Sequence, residues 1–211
     1  MKKFLILLFP VFLSFTAPEQ WSLFMENSVI LNHSSQANIS QKYNTPMLKA
    51  DTLKNAVNCL PEKFAGKWYV VATNYKFWKN KNRSHPVINL DLLNDEKGRT
   101  FLSRVTYKWK DCDKTITGYE TRDNSTRGRF VWQGKGLLSI IKNEWYLVAL
   151  ADDYSWAFTY FPKSNIGTPE GVDILSRTPE MSEELLQKII SQVREDEFMK
   201  AKTEGIFRCE Q

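Results

Sequence analysis

Between Gly66 and Pro179 the chain reads as eight short runs of alternating residues divided by turn signals, a pattern that excludes helical bundles and parallel α/β folds. Alternation with period two sends successive side chains to opposite faces, so each run has one face for a core and one for its surroundings. The first run, Lys67 to Tyr75, puts Trp68, Val70, Ala72 and Asn74 on one face, with Tyr69, Val71 and Thr73 on the other. Val87 to Leu93 follows, with Ile88, Leu90 and Leu92 on one side. The turn from Asn94 to Gly98 leads into Thr100 to Lys110, where Phe101, Ser103, Val105, Tyr107 and Trp109 make an aromatic face. Further runs are Thr115 to Arg122, Arg127 to Gln133, Glu144 to Ala151, Tyr154 to Phe161 and Gly171 to Arg177. Their links are mostly short, which favours an up-and-down barrel over a sandwich with long crossovers. Closure also removes the sheet edges.

After the last run, Ser182 with Glu183 and Glu184 behind it predicts a helix to about Asp196. Its apolar residues Leu185, Leu186, Ile189, Ile190 and Val193 recur at spacings of three and four, one stripe suited to packing on the outside of the barrel. Tyr69 and Val71 are the expected partners on that wall. The expected fold class is therefore all-β: an eight-stranded antiparallel up-and-down barrel with one C-terminal α-helix outside.

Residues 1–17 carry Lys2 and Lys3, an apolar run from Phe4 to Phe15, and small residues at Thr16 and Ala17, the form of a secretory signal peptide. That run is too short to span a bilayer. Residues 18–58, rich in Asn, Ser, Gln and Lys, are expected to be a flexible extension, and residues 59–211 the barrel domain. The expected location is outside the cell or in the lumen of a secretory compartment or vacuole, the periplasm if the source is bacterial. Asn32, Asn38, Asn82 and Asn124 each begin a glycosylation sequon. The net charge of +5 (29 basic residues against 24 acidic) falls by two without the leader lysines, too little to argue for a nucleic-acid partner.

Catalytic constellations are not apparent. The cysteines Cys59, Cys112 and Cys209 are far apart, which excludes a zinc ribbon or a paired redox site, and the only histidines are His33 and His85. Asp152 and Asp153 are adjacent in a turn, a poor arrangement for acid–base work. No catalytic or metal-binding residues and no cofactor are expected.

Three blocks carry a resemblance. Phe64-Ala-Gly66-Lys-Trp68 resembles the Gly-x-Trp block that opens lipocalins, and Asp152-Asp153-Tyr154 resembles their Thr-Asp-Tyr block with Asp in place of Thr. Ile174-Leu-Ser-Arg177-Thr-Pro179 is similar to their third block, especially in the bacterial lipocalin and apolipoprotein D branch. The resemblance implies structural roles for Gly66, Trp68, Asp153, Tyr154 and Arg177, with Trp68 plugging the narrow end and Arg177 across its ring. It also implies a disulfide between Cys112 and Cys209, leaving Cys59 unpaired.

Alternation combined with the family's parity implies an inward, ligand-facing set. It comprises Val70, Ala72, Ile88, Leu90, Phe101, Val105, Tyr107, Trp109, Tyr119, Phe130 and Trp132. On the seventh run Trp156, Phe158 and Tyr160 are favoured, with the opposite parity left open. An apolar aromatic lining suits a fatty acid, lipid, retinoid or sterol, carried or scavenged by a secreted protein. A haem or tetrapyrrole, with His85 as axial ligand, is the alternative, and an isomerase-type member of the family a more remote one. Lys76, Lys79, Lys81 and Arg83 around Trp78 form a basic rim on the connection Phe77 to Pro86, suited to an anionic head group or membrane surface. The apolar loop Gly134 to Ile141 offers a contact for a membrane or for a second copy of the chain.

Overall fold

The computed structural model describes residues 56, 58–93, 95–125, 128–164 and 169–211. The leader, nearly all of the 18–58 extension, and Asn32 and Asn38 lie outside the described residues. A one-turn helix α1 (Pro61–Phe64) enters the barrel, followed by β1 (Gly66–Thr73), β2 (Arg83–Leu92), β3 (Phe101–Trp109), β4 (Cys112–Arg122), β5 (Arg129–Gly134), β6 (Lys142–Leu150), β7 (Trp156–Phe161) and β8 (Gly171–Ser176). Helices α2 (Glu183–Val193) and α3 (Glu197–Lys202) and a short β9 (Phe207–Arg208) complete the chain. Each of the eight strands pairs antiparallel with its sequence neighbour, and β1 pairs with both β2 and β8, so the sheet closes. The up-and-down barrel expected from the sequence is the fold observed.

β2 pairs with β1 at Gly66 to Tyr69, and β9 pairs with β1 further up, at Ala72 and Thr73. The C-terminal segment therefore lies where β1 and β2 part. Cys209 N donates to Val71 O and His85 N to Glu210 O, while Gln211 Nε2 donates to Val70 O at 2.6 Å.

Gly66 has φ +99°, a conformation costly for any side chain, and a Cβ there would lie 3.3 Å from an Arg177 nitrogen. Ser182 caps α2 by accepting from Leu185 N at 3.2 Å. The helix buries Leu186, Ile189, Ile190 and Val193 against a wall that includes Val71, Val148, Phe158 and Ile174, with Tyr69 packed beside them. Ser182→Ala removes the cap and is expected to lower stability by about 1 kcal/mol in a urea titration, without altering the barrel.

Bulges overturn part of the expected parity. An irregularity between Val70 and Ala72 shifts β1 by one residue, so Ala72 faces outward beneath α2 and Thr73 turns inward opposite Asp173. Trp156, Phe158 and Tyr160 also face outward: Phe158 and Tyr160 are buried in the cluster under the helix, with Trp156 packed against it. Both faces of β7 are apolar, and the larger side chains cover the wall on which α2 rests. Its inward residues are Ala157, Thr159 and Phe161, opposite Leu175, Asp173 and Gly171. Tyr119 faces outward as well, paired with Leu102 and Gln133, with the Arg99 guanidinium 3.9 Å from its ring centre. The inward neighbour on β4 is Glu120, a residue that hydrophobic patterning assigns to solvent.

The expected Cys112–Cys209 bridge is not formed, and all three cysteines are free. Glu210 abuts β2, β2 pairs with β3 at Ser84 and Lys108, and β3 with β4 at Lys108 and Asp113. Two strands thus separate the tail from Cys112, roughly 14 Å at ordinary strand spacing. A disulfide needs Cα atoms within about 7 Å. Burial raises the Cys59 thiol to about 11 and the Cys209 thiol to about 12, so both are protonated.

Candidate functional site

The narrow end is sealed by rings. Trp68 is fully buried and donates from Nε1 to Phe64 O at 2.8 Å, with the Phe64 ring 4.9 Å away. Phe130 and Trp145 stack at 4.3 Å with their planes 7° apart, and Phe101 and Phe64 fill the space between them and Trp68. The Arg177 guanidinium lies 3.7 Å from the centre of the Trp68 ring. It is held by donation to Lys63 O at 2.7 Å, Lys67 O at 3.0 Å and Tyr154 O at 3.3 Å. Tyr154 has φ +59°, and its hydroxyl accepts from Leu60 N at 3.0 Å. Asp153 accepts from Ser155 N at 2.9 Å, which shapes the turn, and the Ser155 side chain together with that N–H lowers the Asp153 pKa. The five motif residues are therefore structural at this end of the barrel.

Higher up, Ile88, Val105 and Ile116 stand opposite one another on β2, β3 and β4, on the same inward face as Trp68. These three and Trp132 are only half-buried, whereas Trp68, Val70, Leu90, Phe101 and Phe130 on the same inward face are sealed. Of the expected lining, then, Val70, Ile88, Leu90, Phe101, Val105, Tyr107, Trp109, Phe130 and Trp132 face inward.

Two carboxyls also point inward. Glu120, paired with Phe101 and Trp132, is buried and accepts from Trp145 Nε1 at 2.8 Å. Removal from water pushes its pKa up to about 7, against the opposing pull of the Trp145 and Ser103 donors. The Ser103 hydroxyl lies beside the carboxyl without reaching hydrogen-bond geometry. Asp173, opposite Thr73 and Thr159, is raised to about 7 for the same reason, and its Oδ1 has no hydrogen-bond partner. Both therefore hold their protons to a higher pH than an exposed carboxyl does. No apolar pattern marks these acids; their place becomes visible only once Phe101 and Leu175 fix the inward parity of their strands.

The open end is partly roofed. The β1–β2 connection folds Trp78 inward until it is buried, and Phe77, Trp78 and Tyr107 meet edge to face at 4.7–5.6 Å. Arg83 is sandwiched between the rings of Phe77 at 3.9 Å and Trp109 at 4.6 Å, and donates to Phe77 O at 2.9 Å. Trp78 thus forms part of the roof, whereas Lys76, Lys79 and Lys81 remain exposed on the rim. A cleft of about 550 Å³ lies between this connection and the C-terminal segment, lined by Asn74, Lys76, Lys79, Asn80, Arg83, Glu170, Glu204, Gly205 and Phe207. His85 sits in the β2 bulge at φ +55°, its Nδ1 2.7 Å from Ser84 Oγ. Among the described residues no group of three or more His, Cys, Asp and Glu is placed to hold a metal ion.

A family model described as a lipocalin-like domain matches residues 61–205. Among solved structures, lobster apocrustacyanin A1 superposes with a TM-score of 0.55 at 14% identity, over 78% of this chain and 88% of that one. Insecticyanin from the tobacco hornworm Manduca sexta gives 0.52 at 12% identity, over 71% and 79%. No curated protein matches the chain. At these identities the likeness to the solved structures is one of fold.

Proposed function

The chain belongs to the lipocalin-like family, and from that premise we propose that it is a secreted binding protein that carries or scavenges a small hydrophobic molecule inside its barrel. The observation that supports this reading is the uneven burial of the interior. A barrel packed shut would bury every inward residue, but Ile88, Val105, Ile116 and Trp132 keep accessible surface beside sealed residues of the same face. Such a space takes an apolar body, and the unpartnered Asp173 carboxyl accepts a hydrogen bond from a hydroxyl at its polar end or, when protonated, donates one to a carboxylate there. A fatty acid, lipid, retinoid or sterol meets these requirements.

The test is titration of the purified protein with a fluorescent fatty acid and with retinol, following quenching of the interior tryptophans. Saturable binding at micromolar concentrations is expected. Val105→Trp fills the middle of the barrel and is expected to weaken binding at least about tenfold, the loss of roughly 1.4 kcal/mol or more. Equal affinity in this variant, with an unchanged circular dichroism spectrum, would place the ligand elsewhere.

A further inference from the structure

The two most exposed large apolar side chains of the described residues stand together on the rim of the open end. The β5–β6 connection, residues 135–141, is firmly built: Leu138 N donates to Lys135 O, Ser139 N to Gly136 O and Ile141 N to Leu138 O. Gln133 Nε2 donates to Ser139 O at 2.7 Å, and Lys135 N donates to Thr117 O on β4. Gly134 seats the loop so closely that a Cβ there would lie 2.2 Å from Leu138 O. The bracing half-buries Leu138 and leaves Leu137 99% and Ile140 86% exposed. A short 3-10 turn, Gly136–Leu138, holds Leu137 at the tip.

The connections around that tip are predominantly basic. The four connections of the open end carry the exposed Lys76, Lys79 and Lys81 in the first, Lys110 in the second, Lys135 beside the tip, and Lys163 in the fourth. Among the described residues of these connections the carboxylates are Asp111 and Glu170, and Glu170 is paired with Lys202 at 2.8 Å. The closed end carries Glu62, Asp95, Glu96, Asp123, Asp152 and Asp153 in its connections against Lys63, Lys97, Arg99 and Arg177, a mild acidic excess. The charge therefore runs along the barrel axis, basic at the mouth and acidic at the floor.

We propose that the open end docks on an anionic lipid membrane, with Leu137 and Ile140 entering the interfacial layer and the lysines lying over the head groups. Exposed apolar groups in a basic setting are the combination that an anionic bilayer rewards twice, by burial and by charge attraction. Pairing of two copies through this end would bring like charges together around the apolar contact, which opposes it. The proposal stands on this surface and does not depend on what the barrel holds.

The experiment is co-sedimentation of the full chain with vesicles of phosphatidylcholine alone and of phosphatidylcholine mixed with phosphatidylglycerol. Binding to the anionic vesicles, weakening as salt rises, is the expected result. The double variant Leu137→Ser, Ile140→Ser is expected to bind about tenfold more weakly, and Lys79→Glu with Lys81→Glu to lose a comparable factor. Leu137 and Ile140 are exposed and line neither the barrel interior nor the cleft, so thermal melting and ligand titration of the Ser variant are expected to match the parent. Failure to bind anionic vesicles overturns the proposal, as does equal binding by the Ser variants. So does a concentration-dependent dimer, seen by sedimentation velocity, that the Ser variants abolish. Because ligand titration is read on the same samples, loss of the membrane contact is distinguishable from loss of the barrel site.

Discussion

Replacing Trp68 by alanine is expected to lower the stability of the barrel by about 3–5 kcal/mol, the range for deleting a fully buried aromatic side chain. Three losses coincide at this position. The cavity falls beneath Phe64, whose ring is 4.9 Å away; the indole hydrogen bond to Phe64 O disappears; and Arg177 loses the ring it covers at 3.7 Å. Since Arg177 also ties together the backbone at Lys63, Lys67 and Tyr154, its loosening spreads to α1 and to the turn between β6 and β7. Arg177→Lys retains the charge but cannot span three carbonyls with a planar fork, so a smaller fall of the same kind follows. Urea unfolding followed by far-ultraviolet circular dichroism measures both. A Trp68→Ala variant within about 1 kcal/mol of the parent would mean that the ring is not what seals this end.

The second large effect is on the pH dependence of stability. Glu120 and Asp173 have folded pKa values raised to about 7 by burial, above the ordinary carboxyl values that they regain on unfolding. The folded state therefore holds more protons than the unfolded state between about pH 4 and pH 7. Their contribution is fully present below that window, declines through it, and is gone above about pH 7. Each shift corresponds to about 3–4 kcal/mol, as an order of magnitude. Surface carboxylates act in the opposite direction: Asp123 and Asp153 are lowered chiefly by hydrogen bonds from Ser125 and Ser155, and stability from them is lost as pH falls below about 4. Urea midpoints are thus expected to peak near pH 4–5 and to fall towards neutrality. Glu120→Gln, which still accepts from Trp145 Nε1, is expected to flatten part of that slope, and Asp173→Asn another part. Parallel slopes in the parent and the double variant would refute the assignment.

The closed barrel was legible because alternation survives where one face must be apolar, as in β3, whose five inward residues from Phe101 to Trp109 keep strict register with β2 and β4 over most of their length. The floor was legible from three short motifs whose residues meet in space. The interior was harder to read, for local reasons. One extra residue at Val71 inverts the top of β1, and alternation carries no mark of a bulge. On β7 the helix demands bulk on the outside as strongly as the cavity does on the inside, so hydrophobicity cannot choose a face. On β4 the choice was misleading: Tyr119 faces outward under the Arg99 guanidinium, while the charged Glu120 faces a tryptophan. The disulfide expected from family resemblance failed because β2 and β3 intervene, a matter of tertiary placement that cysteine spacing does not carry.

The C-terminal segment has a consequence for how the protein is made. Phe207 to Gln211 bond to β1 and β2 where those two strands diverge, so the wall beside the first strand is finished by residues far downstream of it in sequence. During synthesis, β1 to β8 can meet as they emerge, but this segment follows all eight strands and the helices α2 and α3. The upper seam therefore closes after the rest of the barrel has formed, and until then the nascent protein has a gap in its side.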